Sequence, residues 1–432
     1  MRRSSRPGLV AFVSVLALHA YACGSDEPPA DAPPEETRGA DAAAPSDGED
    51  GAAPTPTDAS DAADSGFDSA PATDASLDAG ADADAAVVAP PSVRLVGRAD
   101  RSDPAGATFA WPGGRIIARF QGTEVKVTLN ETSLFRGPDR WDVLVDGVLA
   151  STLVPSPGVG TYTLAAGLPA GVHTVELYKR TEAAVGTTQF RGFELPGGTL
   201  LAPPPAPARR IEFLGDSTTV GYGNECAAPT EAFSGATQNE RLAFAGLVAH
   251  DLGADHHDTG ISGRGVLLNY DRSDSVVFDQ YFPRTLPASP AAIWTFASFV
   301  PNVVWIMLGG NDWDAETPST PAPDLAQFTA KYASLVSTVR TKYPAAHVFV
   351  AIAPSLNDDY PVGYAALSNM RTALGNVVAG RVAAGDNKVY AYEFARATGA
   401  DLTGCGYHAN LGLHRKMADE AILQIKAKTG WL

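Results

Sequence analysis

Three short polar stretches, two of them placed directly after an apolar run, hold the side chains of this sequence best suited to chemistry. In the first, the run Ile211 to Gly215 gives way to Asp216 and Ser217, and a polar segment with Gly221 and Gly223 follows. In the second, Asp258 and Thr259 lead into Gly260, Ile261, Ser262, Gly263 and Arg264. In the third, the run Val303 to Leu308 leads into Gly309, Gly310, Asn311, Asp312 and Trp313. A serine two residues past a strand-ending glycine is a candidate nucleophile. It needs a base, an orienter for that base and donors for an oxyanion. Asn311 can offer its side-chain amide, Gly263 lets a backbone N–H approach without a Cβ, and the N–H of Ser217 is a third donor. Gly, Asp, Ser and Asn are also the ordinary residues of strand-to-loop turns, so each stretch alone has a structural reading beside the catalytic one.

The elements that must position these groups follow from the pattern after Arg210. Helix is expected over Arg241 to Leu252, Leu325 to Tyr343, Tyr364 to Ala384 and Leu413 to Lys426. Strands are expected over Val303 to Leu308, His347 to Ile352 and Val389 to Phe394. Such alternation argues for an α/β domain over 208–432, a mainly parallel sheet sandwiched by helices. Loops beyond the carboxyl ends of parallel strands meet at one edge of the sheet, so these stretches can converge on Ser217. A fourth loop, ending Gly404, Cys405, Gly406, Tyr407, His408, belongs to the same edge. Residues 92–200 read differently, as short strands without helical period. Glu124 to Leu129 alternates, and Trp141 to Val145 turns through Asp146 and Gly147 into Val148. This is the pattern of a β-sandwich, and Pro203 to Pro207 forms a stiff linker after it.

The first 91 residues are of another kind. Arg2, Arg3 and Arg6 precede a short apolar run from Leu9 to Leu18, and Ala20, Tyr21, Ala22 and Cys23 close it. Residues 1–23 therefore read as an export signal, too short for a spanning helix, with Cys23 at the position of a bacterial lipoprotein's lipidated cysteine. Simple cleavage beside an incidental cysteine is the alternative. Residues 24–91 are an acidic Ala/Asp/Pro segment that cannot bury enough apolar surface to order itself. It holds 17 acidic residues against the single Arg38, so of the net charge of −17 only −4 falls outside this segment and the basic leader. The folded part is nearly balanced, which gives no reason to expect a nucleic-acid partner.

Cofactor and metal chemistry find little support. There is no His-Glu-x-x-His, no paired Cys-x-x-Cys and no phosphate-binding Gly-rich loop in the right frame. His256 and His257 stand beside Asp255 and Asp258, but adjacent strand residues point to opposite faces. No cofactor and no metal are expected.

Gly-Asp-Ser after a strand, Ile-Ser-Gly, Gly-Gly-Asn-Asp and the final run His408, Ala409, Asn410 to His414 resemble, in order, the blocks of the SGNH or GDSL-type esterases. The longer run from Ile211 to Glu225 is similar to carbohydrate esterase family 2, many of whose members are acetyl-xylan or other sugar deacetylases. Leu177 to Glu182 and Phe190 to Phe193 resemble the jelly-roll domain that precedes the esterase domain in that family. The resemblance implies Ser217 as nucleophile, His408 as base, and Ser217 N–H, Gly263 N–H and Asn311 as oxyanion donors. It further implies an exported carbohydrate O-acetyl esterase acting on acetylated polysaccharide or oligosaccharide, monomeric, and touching membrane only through a lipid anchor. A lipid or thioester hydrolase on the same scaffold and a catalytically weak carbohydrate-binding protein are the alternatives. Trp313 suits stacking on a sugar ring, and equally core packing. The pattern departs at one point. The carboxylate that members of these families place two or three residues before the histidine is absent, since Cys405 and Gly406 stand there. Either a backbone carbonyl orients His408 or another carboxylate does, with Asp401 and Glu393 the local candidates.

The two remaining cysteines, Cys226 and Cys405, lie nine residues after Ser217 and three before His408. If Ser217 and His408 meet, both sulfurs flank the site, and an exported chain would let them bond. Two buried free thiols are the alternative.

Overall fold

The structure, a computed structural model, describes residues 93–432 apart from 135, 273 and 315–319. The leader, Cys23 and the acidic segment to residue 91 lie outside the described residues.

The strands of the first half pair antiparallel. Its strands are β1 (Val93–Val96), β2 (Ala99–Asp100), β3 (Ala107–Phe109), β4 (Arg115–Ser133) and β5 (Trp141–Val145), then β6 (Val148–Leu153), β7 (Gly158–Lys179), β8 (Gly186–Glu194) and β9 (Thr199–Leu201). They run in the order β2-β3-β8-β4-β7-β5-β6, with β1 and β9 both on β4. The sequence suggests separate short strands at 161–164 and 172–177, but the structure carries them as one 22-residue strand, β7. The reason lies in its partner. β4 pairs with β7 from Arg115 to Asn130 and takes up the change of direction in register shifts between Gly122 and Lys126, the way a bulge bends a strand without ending it. The long pair folds over a core that includes Phe109, Phe120, Val127, Trp141, Val143 and Leu177. Alternation along β4 explains the inward set, as Val125, Val127 and Leu129 are fully buried and every second residue is not.

The second half is a parallel sheet with helices on both faces. Its strands are β10 (Arg210–Gly215), β11 (Asp255–Gly260), β12 (Val303–Met307), β13 (His347–Ile352) and β14 (Val389–Glu393). All pair in parallel, in the order β11-β10-β12-β13-β14. Its helices are α1 (Phe244–Asp251), α2 (Phe278–Tyr281), α3 (Gly310–Trp313), α4 (Leu325–Lys342), α5 (Ala366–Ala383) and α6 (Leu411–Thr429). Alternate strand residues feed two cores. Leu214, Ile306 and Val350 pack with Phe328, Val336, Leu374 and Val377 of α4 and α5. Phe213, Trp305 and Phe349 pack with Phe244, Val248, Met417 and Ala421 of α1 and α6. The expected helix at 241–252 begins three residues late, because Glu240 to Leu242 form a separate short turn and Ala243 is extended.

β10 is where the chain turns from laying strands on one side to laying them on the other. Ligands in open α/β sheets bind in the crevice at such a reversal, beyond the strands' carboxyl ends. β10 and β12 flank it here.

The two halves are joined by buried charge. Arg98, between β1 and β2, donates to Glu212 of β10 at 2.6 Å, and the pair is almost wholly buried. Its guanidinium stands 5.3–5.9 Å from the rings of Trp111, Phe282, Trp294 and Phe296. Arg94 and Arg115 both hold Asp255, at 2.7 and 2.5 Å. Tyr178 donates to Glu240 at 2.6 Å, and Arg241 to Asp142 at 2.6 Å.

Candidate active site

Four loops meet beyond the carboxyl edge of the parallel sheet. β10 ends at Gly215, where an added Cβ would lie 1.9 Å from Oγ1 of Thr219, so only glycine lets the chain turn this tightly. The turn is built on Asp216, whose carbonyl accepts from Thr219 N–H at 3.0 Å and Val220 N–H at 3.1 Å. Ser217 sits on the first step of this turn, only 7% exposed.

Oγ of Ser217 stands 2.8 Å from Nε2 of His408, and Nδ1 of His408 stands 2.8 Å from the carbonyl oxygen of Cys405. A carbonyl can only accept, so Nδ1 carries the ring proton. Nε2 is then a bare lone pair facing the serine hydroxyl, the tautomer a general base needs. Burial lowers the pKa of this imidazole, against the opposing pull of the Cys405 and Gly406 backbone. The ring of Tyr222 packs on it at 4.6 Å and is itself stacked on Phe233 at 3.8 Å. Tyr407, immediately before the histidine, holds a left-handed backbone with φ of 62°, a costly conformation for such a side chain.

The carboxylates proposed as orienters stand elsewhere. Asp401 accepts from Lys416 at 2.5 Å and from the N–H and hydroxyl of Thr398. The Lys416 contact first, and the Thr398 bonds after it, hold its pKa down to about 2. Glu393 is taken by Arg371 in a two-pronged pair at 2.6 and 2.7 Å. Among the described residues, the Cys405 carbonyl is the hydrogen-bond partner of Nδ1. His414, one turn into α6, is also accounted for. Its Nδ1 accepts the Phe244 N–H at the start of α1 at 3.2 Å, and burial first, then His408, push its pKa down to about 3.

Cys405 is bonded to Cys226. The bond ties the His408 loop to the segment that follows Ser217. Cys405 N–H also donates to Gly223 O at 3.1 Å, and Gly404 N–H to His408 O at 3.0 Å.

The Asn311 amide donates to Asp216 Oδ2 at 3.2 Å and to Arg264 O at 3.0 Å, so the first, second and third stretches do adjoin. Burial, the largest influence, pushes the pKa of Asp216 up to about 7. Asp312 is the fastener. Fully buried, it accepts from Val266, Leu267 and Leu268 N–H at 2.9, 2.6 and 2.8 Å, clamping the loop after β11 to the loop after β12. Burial pushes its pKa up to about 6 although those bonds favour the anion. Arg272 closes the same corner by donating to the carbonyls of Asn311, Asp312 and Asp314 at 2.9–3.1 Å. Gly263 has φ of 77° in a turn closed by Arg264 N–H to Ile261 O at 3.4 Å.

Trp313 does not offer a stacking face. It is 1% exposed and meets Phe328 edge-on at 5.4 Å in the α4/α5 core. The sugar-platform expectation for Trp313 is corrected accordingly: the one-turn helix α3 directs Asn311 toward the crevice and swings the tryptophan, two residues on, into the protein.

Sequence reasoning also passed over Glu182 and Gln238. Glu182 lies just beyond β7, yet it accepts from the backbone and side chain of Ser262. Nothing in the spacing of these residues marks a contact across 80 positions. Among the described residues, no group of three or more His, Cys, Asp and Glu is arranged to hold a metal ion, and no helix is long and apolar enough to cross a membrane.

Comparison with known proteins covers both halves. Residues 95–205 match the carbohydrate esterase 2 N-terminal family, and residues 213–414 the GDSL-like lipase/acylhydrolase family. The chain is 36% identical over 342 residues to a cellulase/esterase of Acetivibrio thermocellus. The match covers 79% of this chain but only 40% of that larger protein. An acetylxylan esterase/glucomannan deacetylase of Cellvibrio japonicus is 28% identical over 350 residues, with 78% of this chain and 90% of the relative aligned. Among solved structures, a family two carbohydrate esterase from Clostridium thermocellum in complex with cellohexaose is similar with a TM-score of 0.73 and 36% identity, covering 79% of this chain and all of the other.

Proposed function

We propose that this chain, which belongs to carbohydrate esterase family 2, removes acetyl groups from esterified sugar hydroxyls by a serine mechanism. Oγ of Ser217 attacks the acetyl carbonyl carbon while its proton passes to Nε2 of His408. The carbonyl oxygen becomes an oxyanion facing Ser217 N–H, Gly263 N–H and the Asn311 amide, which gives up its bond to Asp216 to donate there. Collapse expels the sugar alkoxide, which takes the proton from His408, and leaves acetyl-Ser217. Water, deprotonated by the same Nε2, then releases acetate and restores the serine.

The observation that carries this reading is the chain of contacts from Ser217 Oγ through His408 to the Cys405 carbonyl. The orienter is a neutral dipole rather than a carboxylate. It fixes ring and tautomer but gives the passing imidazolium less stabilisation than an anion would. Acetyl rather than a long acyl chain is supported by a relative named acetylxylan esterase/glucomannan deacetylase. The carbohydrate class is supported by relatives named acetylxylan esterase/glucomannan deacetylase and by the cellohexaose complex.

Aryl acetate hydrolysis by the wild type, and its loss in both S217A and H408A, tests the mechanism; unchanged turnover in both variants would end it. A panel of acetylated xylan, mannan and cello-oligosaccharides identifies the substrate. Preference for long acyl chains would favour a lipid hydrolase, and retention on polysaccharide without acetate release a binding protein. We further propose that residues 1–23 direct export and that Cys23 is lipidated, anchoring the enzyme through the segment 24–91. Metabolic labelling with a fatty acid, lost in C23S, is the corresponding test.

A further inference from the structure

We propose that Glu182, a residue of the β-sandwich half, is a positioning residue for catalysis: it sets the oxyanion-binding turn of the hydrolase half by gripping Ser262, the residue before Gly263. The inference rests on the reading above that Gly263 N–H is an oxyanion donor.

Glu182 is 1% exposed. Its Oε2 accepts from Ser262 N–H at 2.9 Å and its Oε1 from Ser262 Oγ–H at 2.6 Å. Both donors of Ser262 are thereby spent on one carboxylate. The peptide between Ile261 and Ser262 is held facing the β-sandwich half, and fixing Ser262 fixes the start of the following peptide, which carries the Gly263 N–H. No heavy atom would lie within 4 Å of a Cβ added at Gly263, so the turn meets open space on that side, and the Gly263 carbonyl is held from the other by Tyr270 N–H at 3.0 Å.

A second contact extends the grip. Gln238 Oε1 accepts from Glu182 N–H at 3.1 Å, and Gln238 Nε2 donates to Val220 O at 3.1 Å, three residues beyond Ser217. Glu182 thus braces both the loop after β10 and the loop after β11, which hold the nucleophile and one proposed donor. The arginine pairs of Arg94, Arg115 and Arg98 attach lower on the sheet, whereas Arg180 pairs with Glu225 on the loop after β10. Asp255, which takes Arg94 and Arg115, is the first residue of β11, and Glu212, which takes Arg98, is the third of β10. The contacts of Asp255 and Glu212 hold the halves together without touching the turn. Displacing a donor by a fraction of an ångström is costly because it acts at one position only, where the oxyanion forms.

The experiment compares wild type with E182A, E182Q and S262A in the full chain. It measures kcat and KM on an aryl acetate, active sites counted by a phosphonate that modifies Ser217, and thermal midpoints. A donor felt only in the transition state changes kcat and leaves KM. For E182A, kcat per titrated site is expected to fall on the order of 10- to 100-fold, toward the loss seen when an oxyanion donor is deleted, with KM within about threefold. E182Q, which keeps one carbonyl acceptor, should fall between E182A and wild type. S262A, which keeps its N–H, should lose only about threefold. A kcat per site within about twofold of wild type in folded E182A overturns the proposal, and if E182A does not fold, the same result in E182Q does so. Should wild type prove inactive on every acetyl ester, the esterase reading fails instead. The rates at which the phosphonate modifies Ser217 in the four proteins then still measure the brace, and equal rates would overturn it.

Discussion

The carbonyl oxygen of Cys405 lies 2.8 Å from Nδ1 of His408, and the same cysteine is bonded through sulfur to Cys226. The residue that orients the proposed base is therefore itself tethered to the loop that carries the proposed nucleophile. A backbone carbonyl cannot be removed by substitution, so the local carboxylates become the informative targets. D401A and E393A should retain kcat on an aryl acetate within about twofold, whereas loss of a carboxylate that truly orients a catalytic histidine costs about 10⁴-fold. A hundredfold fall in either variant, with the fold intact, would assign that carboxylate to the base.

The pH profile carries a second expectation. In the proposed mechanism His408 must be neutral to accept the serine proton, and burial lowers its pKa from the ordinary value of 6.5. Lowering the pKa of a base extends its active form to lower pH. The acid limb of kcat/KM should thus have its midpoint below about 6.5. A midpoint above 7 would mean that the free enzyme's imidazole is stabilised as a cation, by an anion near the ring.

The disulfide supplies a third. Cys226 and Cys405 are 179 residues apart, and chain entropy for so long a loop gives on the order of 5 kcal/mol as an upper bound. C226S should lower the thermal midpoint by several degrees. Because Cys405 also presents the carbonyl to His408, kcat is expected to fall about tenfold or more through a loosened base. Full activity after reduction and alkylation of both sulfurs would detach the bond from catalysis.

Trp313 tests the division between core and cleft. W313A opens a large void against Phe328 in the α4/α5 core and should cost about 3–5 kcal/mol of stability. W313F should be milder, and KM for acetylated oligosaccharides should be unchanged in W313F. A selective rise in KM with stability intact would return the residue to the binding surface.

Much of this was legible because the relevant signals are local. A strand-ending glycine followed by Asp216 and Ser217, and Asn311 after an apolar run, announce strand-end loops, and parallel sheets gather such loops at one edge. The alternation of β10, β12, β13 and β14 with helices was readable from their apolar runs, whereas β11 is polar along its length and has none. What could not be read depends on contacts between distant positions. Trp313 and Asn311 are two residues apart in a one-turn helix, and only tertiary packing decides which of them faces inward. The run 158–179 contains the turn residues Gly167, Pro169 and Gly171, which locally suggest a break, but pairing with the long β4 carries the strand through. Asp312 looks like turn chemistry and proves to bind three backbone N–H groups more than 40 positions away. Asp401 stands close to His408 in sequence, yet Lys416 claims it.

The burial of Arg98 against Glu212 bears on how the protein can be cut. The proline-rich stretch at 203–207 invites division into two independent pieces. A hydrolase half made alone would keep Glu212 in the interior of its sheet without its cation, a defect that costs about 3–5 kcal/mol when one partner of a buried pair is removed. It would also uncover the ring of aromatic side chains that now surrounds the guanidinium. Truncation at the linker should therefore give aggregation-prone material rather than a minimal enzyme, and shortening from the amino end should stop before β1.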